Sequence, residues 1–175
     1  MHIQNMVGNS LTAVYTATEV SNNHLSVGMK FYDIARKAWF IFLKNSGAAA
    51  ITQKLACVAL GTDKSSYFAA LAAATDAVIG FAGVRVADAD SMAQGEYGWF
   101  QYTGAATFLH SGGQATAANE YIVTSATVAG KVEGGAPTVN TVASLAAGFA
   151  LCEAAKTTLD EEVKANIVRS VWGFA

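Results

Sequence analysis

The chain alternates short apolar runs with breaks rich in glycine, asparagine or serine, and most runs carry the two-residue period of a strand. Residues 38–44 (Ala-Trp-Phe-Ile-Phe-Leu-Lys) are apolar almost throughout, which predicts a strand buried on both faces and ended by Asn45-Ser46-Gly47. The run Tyr97-Gly98-Trp99-Phe100-Gln101-Tyr102 predicts another. In it Tyr97, Trp99 and Gln101 share one face, and Phe100 and Tyr102 share the other. Gly95 and Gly98 read as a tight turn or bulge entering this strand, and Gly104 as the break after it. Further strands are expected over residues 11–20, 27–34, 77–86, 106–109, 121–124 and 148–154. Turns are expected at 21–24, 33–36, 88–95 and 111–113, and a long loop at Gly130, Gly134, Gly135 and Pro137.

Three segments satisfy two patterns. Residues 48–60 are alanine-rich, yet the run from Leu55 to Leu60 before Gly61 is a fair strand. Residues 67–74 fit a short helix and an alanine-rich strand equally well. In the tail, Thr158 and Glu161 match a capping box, and Leu159, Val163, Ile167 and Val171 recur every four residues. Against that, Val163, Ala165, Ile167, Arg169 and Val171 alternate, and a last strand is what closes a sheet of many short strands. Strand is the preferred reading. The fold class that follows is mainly β: a small β-barrel or tulip-like sandwich with room for one short helix. Residues 1–12 are polar, uncharged and aperiodic, which predicts an N-terminal arm ahead of a single β-domain over 13–175.

Composition sharpens this picture. Of 175 residues, 53% are hydrophobic and only 14% charged, apolar even for a globular chain. A chain of this kind is expected to hide part of its surface against other subunits. The net charge is −2 and no basic stripe occurs, so nucleic acid is not an expected partner. The strongest apolar run, residues 38–43, lies between Lys37 and Lys44 and is too short to span a bilayer. The first ten residues lack the pattern of a signal peptide, so cytoplasmic synthesis without a membrane partner is expected. Cys57 and Cys152 sit far apart in apolar settings and read as free buried thiols.

Motifs for catalysis do not stand out. His2, His24 and His110 have no paired spacing for zinc, and Asp88, Asp90 and Glu96 do not form an EF-hand. There is no nucleophile elbow and no Walker loop. The expectation is no enzyme activity, no metal and no cofactor. Tyr97 and Trp99 could form a sugar-stacking platform, but rings of this kind more often fill a core or an interface. Tyr97, Trp99, Phe100, Tyr102, Trp172 and Phe174 are therefore the candidate residues for an interface with another subunit or a partner protein.

Four segments, in order, resemble bacteriophage capsid decoration (cement) proteins. They are Phe81-Ala82-Gly83-Val84 before an Asp-bearing loop, Gly95 to Gln101, Val128-Ala129-Gly130-Lys131, and Gly148-Phe149-Ala150-Leu151. The resemblance covers about 70 residues firmly, from Gly83 to Ala154, and the N-terminal half loosely. It implies a small β-barrel or tulip-like domain, a homotrimer at three-fold or quasi-three-fold points of a phage shell, and no enzyme activity. The implied partners are the major capsid protein of a phage and further copies of the chain; the implied location is the virion. Two other functions stay open on the residues alone: a carbohydrate-binding β-module on a virion, and a small hydrolase.

Overall fold

The computed structural model describes residues 10–60, 68–71, 83–125, 127–134 and 150–167. Within them lie one helix, α1 (Ala17–Asn22), and thirteen strands. The strands are β1 (Lys30–Asp33), β2 (Ala38–Asn45), β3 (Ile51–Thr52), β4 (Ala56–Leu60), β5 (Phe68–Leu71), β6 (Gly83–Ala87) and β7 (Ser91–Met92). They continue with β8 (Tyr97–Gln101), β9 (Gly104–Leu109), β10 (Tyr121–Thr124), β11 (Val132–Gly134), β12 (Ala150–Cys152) and β13 (Glu162–Ile167).

The mainly-β expectation holds, and the first sheet closes into a barrel. Strands β2, β5, β4, β6 and β8 are hydrogen-bonded in that order, and β8 returns to β2. All neighbours in this ring run antiparallel except β2 and β5. β1 is an additional strand on β2, with Tyr32 opposite Trp39. One face of the ring points inward. Ile41, Leu43, Cys57, Ala69, Ala87, Phe100 and Tyr102 meet there, joined by Ile51 and Met92 from the small β3–β7 pair. A five-stranded ring has little internal room, which is why alanine and cysteine stand among the large side chains.

The outer face of the ring has two covers. Over β2 and β8, the segment before β1 covers Phe40, Phe42 and Trp99 with Tyr15, Leu25 and flanking apolar residues. On the other side Ala56, Val58 and Val86 pack on a second, all-antiparallel sheet of order β11-β10-β12-β13-β9. Its inner face supplies Phe108, Ile122, Val132, Ala150, Cys152, Val163, Ala165 and Ile167. β2 is thus buried on both sides, as its unbroken apolar run predicts.

Several local expectations change. The strand expected over residues 11–20 is replaced by α1 from Ala17 onward. Thr16 Oγ1 accepts the Glu19 N–H at 3.3 Å, and the Glu19 carboxylate accepts the Thr16 N–H at 2.8 Å. This capping box satisfies the first turn locally and outweighs the β propensity of Thr and Val. Residues 10–12 are not a free arm: Leu11 packs beside Tyr15, whose hydroxyl donates to the Ser10 carbonyl at 2.9 Å. Residues 1–9 lie outside the described chain. The strand expected from Val27 starts at Lys30, because Gly28 at φ 82° turns the backbone first.

The ambiguous stretches resolve as strands. Residues 48–60 hold β3 and β4, and β5 occupies the described part of 67–74. The expected loop 88–95 carries β7, and the long glycine loop carries β11. The tail is strand β13, with Val163, Ala165 and Ile167 inside and Glu162, Lys164 and Asn166 outside. Residues 77–82, Pro137, Gly148, Phe149 and the end of the tail lie outside the described residues.

Cys57 lies inside the barrel and Cys152 inside the second core; neither is disulfide-bonded. Burial pushes the Cys57 thiol far above its ordinary range, so almost no thiolate forms. Neither thiol is expected to react with Ellman's reagent in the native protein, and both are expected to appear in denaturant. A fast-reacting native thiol contradicts this core.

Candidate functional site

The aromatic strand belongs to the core. Trp99 and Phe100 are 0% exposed and Tyr102 is buried. The Trp99 ring stands 5.1 Å from Phe42 and 6.3 Å from Phe31, while Tyr97 stacks on Phe42 at 6.0 Å. Tyr97 is half-buried, with the Lys44 ammonium 5.7 Å from its ring centre. The two-face division of this strand is as expected, with Tyr97 and Trp99 outward and Phe100 and Tyr102 inward.

What changes is their role. Trp99, Phe100 and Tyr102 present no face to a capsid, a sister subunit or a sugar ring. Phe100 and Tyr102 are sealed inside the barrel, and Trp99 is sealed by the segment before β1. That segment lies over β8, and Tyr15 exchanges main-chain hydrogen bonds with Tyr97 at 2.9 Å each way. Trp172 and Phe174 lie outside the described residues. Gly95 at φ 90° and Gly104 at φ 80° are turn glycines as expected. Gly98 is not one; it lies within β8, where a Cβ would stand 3.0 Å from Met92 Sδ.

Among the described residues Tyr32, Ile34, Tyr121 and Leu159 are the exposed large hydrophobic residues, and two of them lie together on the β1–β2 hairpin. Ile34 is 77% exposed and Tyr32 40%. The Tyr32 ring lies 5.2 Å from Trp39, and the Lys30 ammonium lies 5.9 Å from the Tyr102 ring centre. Asp33 Oδ1 builds the turn by accepting the N–H groups of Ala35 at 2.9 Å and Arg36 at 3.3 Å. The signal for this surface was present as Tyr32 and Ile34 flanking an Asp-led turn, but alternation alone does not say which apolar residue stays uncovered.

Arg36 carries the hairpin back to the barrel through an ion pair with Asp88. Beneath it opens a cleft of about 270 Å³ between the barrel and β9. Arg36, Lys54, Asp88, Gln101, Ala105 and Thr107 line it. Its charges are matched in pairs: Arg36 with Asp88, and Lys54 with Glu162, while Gln53 bonds Asp90. Burial raises the Asp88 pKa more than the Arg36 guanidinium lowers it. A carboxyl raised in the fold favours folding most at a pH below its unfolded value of about 4, and loses that advantage as pH rises through its folded value. Relative to Asp88→Asn, the native chain is therefore expected to gain stability when acidified from neutral pH toward pH 4. Urea unfolding across that window checks the sign; a relative loss on acidification means the ion pair outweighs burial.

The remaining polar groups build turns. His110 is fully buried; its Nδ1 accepts the Gly112 N–H at 3.0 Å, and its Nε2 faces the Gln114 carbonyl at 3.1 Å. Both ring nitrogens are thereby committed to main chain. Ser111 Oγ donates to Glu133 at 3.0 Å, not to an imidazole. Among the described residues no group of three or more His, Cys, Asp or Glu side chains is placed to hold a metal. No described helix is long and apolar enough to cross a membrane.

The fold therefore defines a small closed β-barrel with a second antiparallel sheet packed on its flank, and it is similar to a solved phage protein. The N base of the head fibre protein gp8.5 of bacteriophage phi29 matches with a TM-score of 0.50 at 9% sequence identity. The match covers 77% of this chain and 99% of that one. No protein-family model and no curated protein matches the sequence.

Proposed function

We propose that this chain is a structural protein of a phage head, bound to the outside of the assembled shell as a homotrimer, with no enzyme activity. The observation that carries the reading is the fold likeness to a head fibre base over nearly all of that chain. The segments resembling decoration proteins point to the same class by a separate route. The physical properties suit it. A lattice-binding protein needs many modest contacts made together, and linked subunits multiply them through effective concentration. The hairpin with Tyr32, Ile34 and Trp39 offers an apolar, ring-bearing contact, and a small net charge limits repulsion between neighbouring copies.

Incubation of the purified protein with empty heads, followed by sedimentation, tests the role, and solution mass tests the trimer. The expected results are a protein that pellets with heads and a mass about three times 18.1 kDa. A monomer that leaves heads bare overturns the proposal. The sugar-binding alternative loses its main residue with the burial of Trp99; glycan binding that requires Tyr32 or Trp39 would restore it.

A further inference from the structure

Gln101 ends β8 with half of its side-chain amide unused. The residue is 8% exposed and lines the cleft between the barrel and β9. Its Nε2 donates to the carbonyls of Thr103 at 2.9 Å and Ala105 at 2.7 Å. Two carbonyl acceptors fix which end of the amide is nitrogen, because an amide oxygen in that place would meet no donor. Oε1 is therefore turned the other way, without a partner among the described residues. It is not sealed off as Trp99 Nε1 and Glu120 Oε1 are, and the opening it reaches is the cleft. In the same cleft Arg36 bonds Asp88 Oδ2, and Asp88 Oδ1 has no partner among the described residues.

A nearly buried acceptor aimed into a cleft calls for a donor from outside. We propose that the cleft binds one neutral sugar ring, with one hydroxyl donating to Gln101 Oε1 and another to Asp88 Oδ1. Other ligand classes each meet a specific cost. An apolar ligand leaves Oε1 unpaired. An ion finds no free counterion in the lining, because Arg36 is paired with Asp88 and Lys54 with Glu162. A nucleobase finds nothing to stack on, since no aromatic side chain among the described residues lines the cleft. A sugar ring is uncharged, and each of its hydroxyls both donates and accepts. Its C–H face matches the apolar strip of Val86, Ala87 and Ala106. Size agrees: about 270 Å³ falls just under the roughly 300–1,000 Å³ of sites for drug-sized ligands, which suits a single ring. This site is distinct from a stacking platform at Tyr97 and Trp99, because it holds its ligand by hydrogen bonds. It rests on neither head binding nor the trimer.

Titration of the full chain with the methyl glycosides of glucose, galactose, mannose and N-acetylglucosamine, followed by amide NMR shifts, tests it. Saturable shifts from at least one glycoside are expected, largest at Lys54, Asp88, Gln101 and Thr107. No saturable shift with any of them overturns the proposal, and so do shifts centred on Tyr32 and Trp39. Sodium phosphate or ethylammonium saturating the cleft where the glycosides do not overturns the neutral class. Ala105 is exposed and lines the cleft. Ala105→Trp fills the opening and is expected to abolish binding with an unchanged thermal midpoint; undiminished binding by that variant overturns the site. Gln101→Leu removes Oε1 and is expected to weaken binding about tenfold. If that variant does not fold, the shift map and Ala105→Trp decide. Sugar binding without head binding sinks the head role alone; head binding without sugar binding sinks this inference alone.

Discussion

Trp99→Ala is expected to destabilise the protein by about 3–5 kcal/mol, the range for removing a buried large aromatic side chain. Trp99 is fully buried and is held by Phe42, Phe31 and the covering segment from Tyr15 to Leu25. Its loss leaves a cavity against the outer wall of the barrel, between β8 and that cover. A domain with a total stability of about 5–15 kcal/mol retains little after such a loss. Trp99→Phe is expected to be much milder, because the indole N–H has no hydrogen-bond partner among the described residues and mainly volume is lost. Urea unfolding followed by circular dichroism measures both. An alanine variant as stable as the parent would place the ring on a surface and return it to the interface role read from sequence.

Gly134→Ala is expected to cost about 3 kcal/mol or more, at the upper end of overpacking effects. Gly134 ends β11 opposite Ile122, and its N–H donates to the Gln114 carbonyl at 3.1 Å. A Cβ there falls on the carbonyl oxygen of Ala115 and lies 3.0 Å from its carbonyl carbon. Both sides of the clash are main chain, so relief requires moving the 114–115 segment or β11 and breaking that hydrogen bond. Gly98→Ala is the contrast. Its new methyl meets Met92 Sδ at 3.0 Å, and a thioether rotates aside, so about 1 kcal/mol or less is expected. Denaturant midpoints of the two variants rank them; equal losses would mean that the Ala115 carbonyl moves as freely as a methionine.

These two positions show what strand reading misses. Gly134 reads in the sequence as one glycine of a long loop, and Gly98 as part of a turn. The structure gives both to strands, where the missing Cβ accommodates a neighbour. The candidate site shifted for a related reason. Trp99 carries the strongest aromatic signal in the chain, and the fold buries it. Tyr32 and Ile34 carry a weaker one and remain exposed. The cleft was not legible at all, because Arg36, Lys54, Gln101 and Thr107 are brought together by the packing of β9 against the barrel.

By itself the sequence determined β2 from its unbroken apolar run, β8 and β10 from their strand-forming runs, and the turns at Gly95 and Gly104, and it favoured strand over helix for β13. Those depend on backbone sterics and local periodicity, which any stretch of chain carries with it. The tertiary structure alone decided that the alanine-rich 68–71 segment is a strand, that β8 returns to β2 to close a ring, and that residues 10–25 roof one flank. A period of two states that a side chain is covered, but the covering element comes from a distant part of the chain. Only the folded arrangement determines which rings are sealed and which stay in contact with solvent.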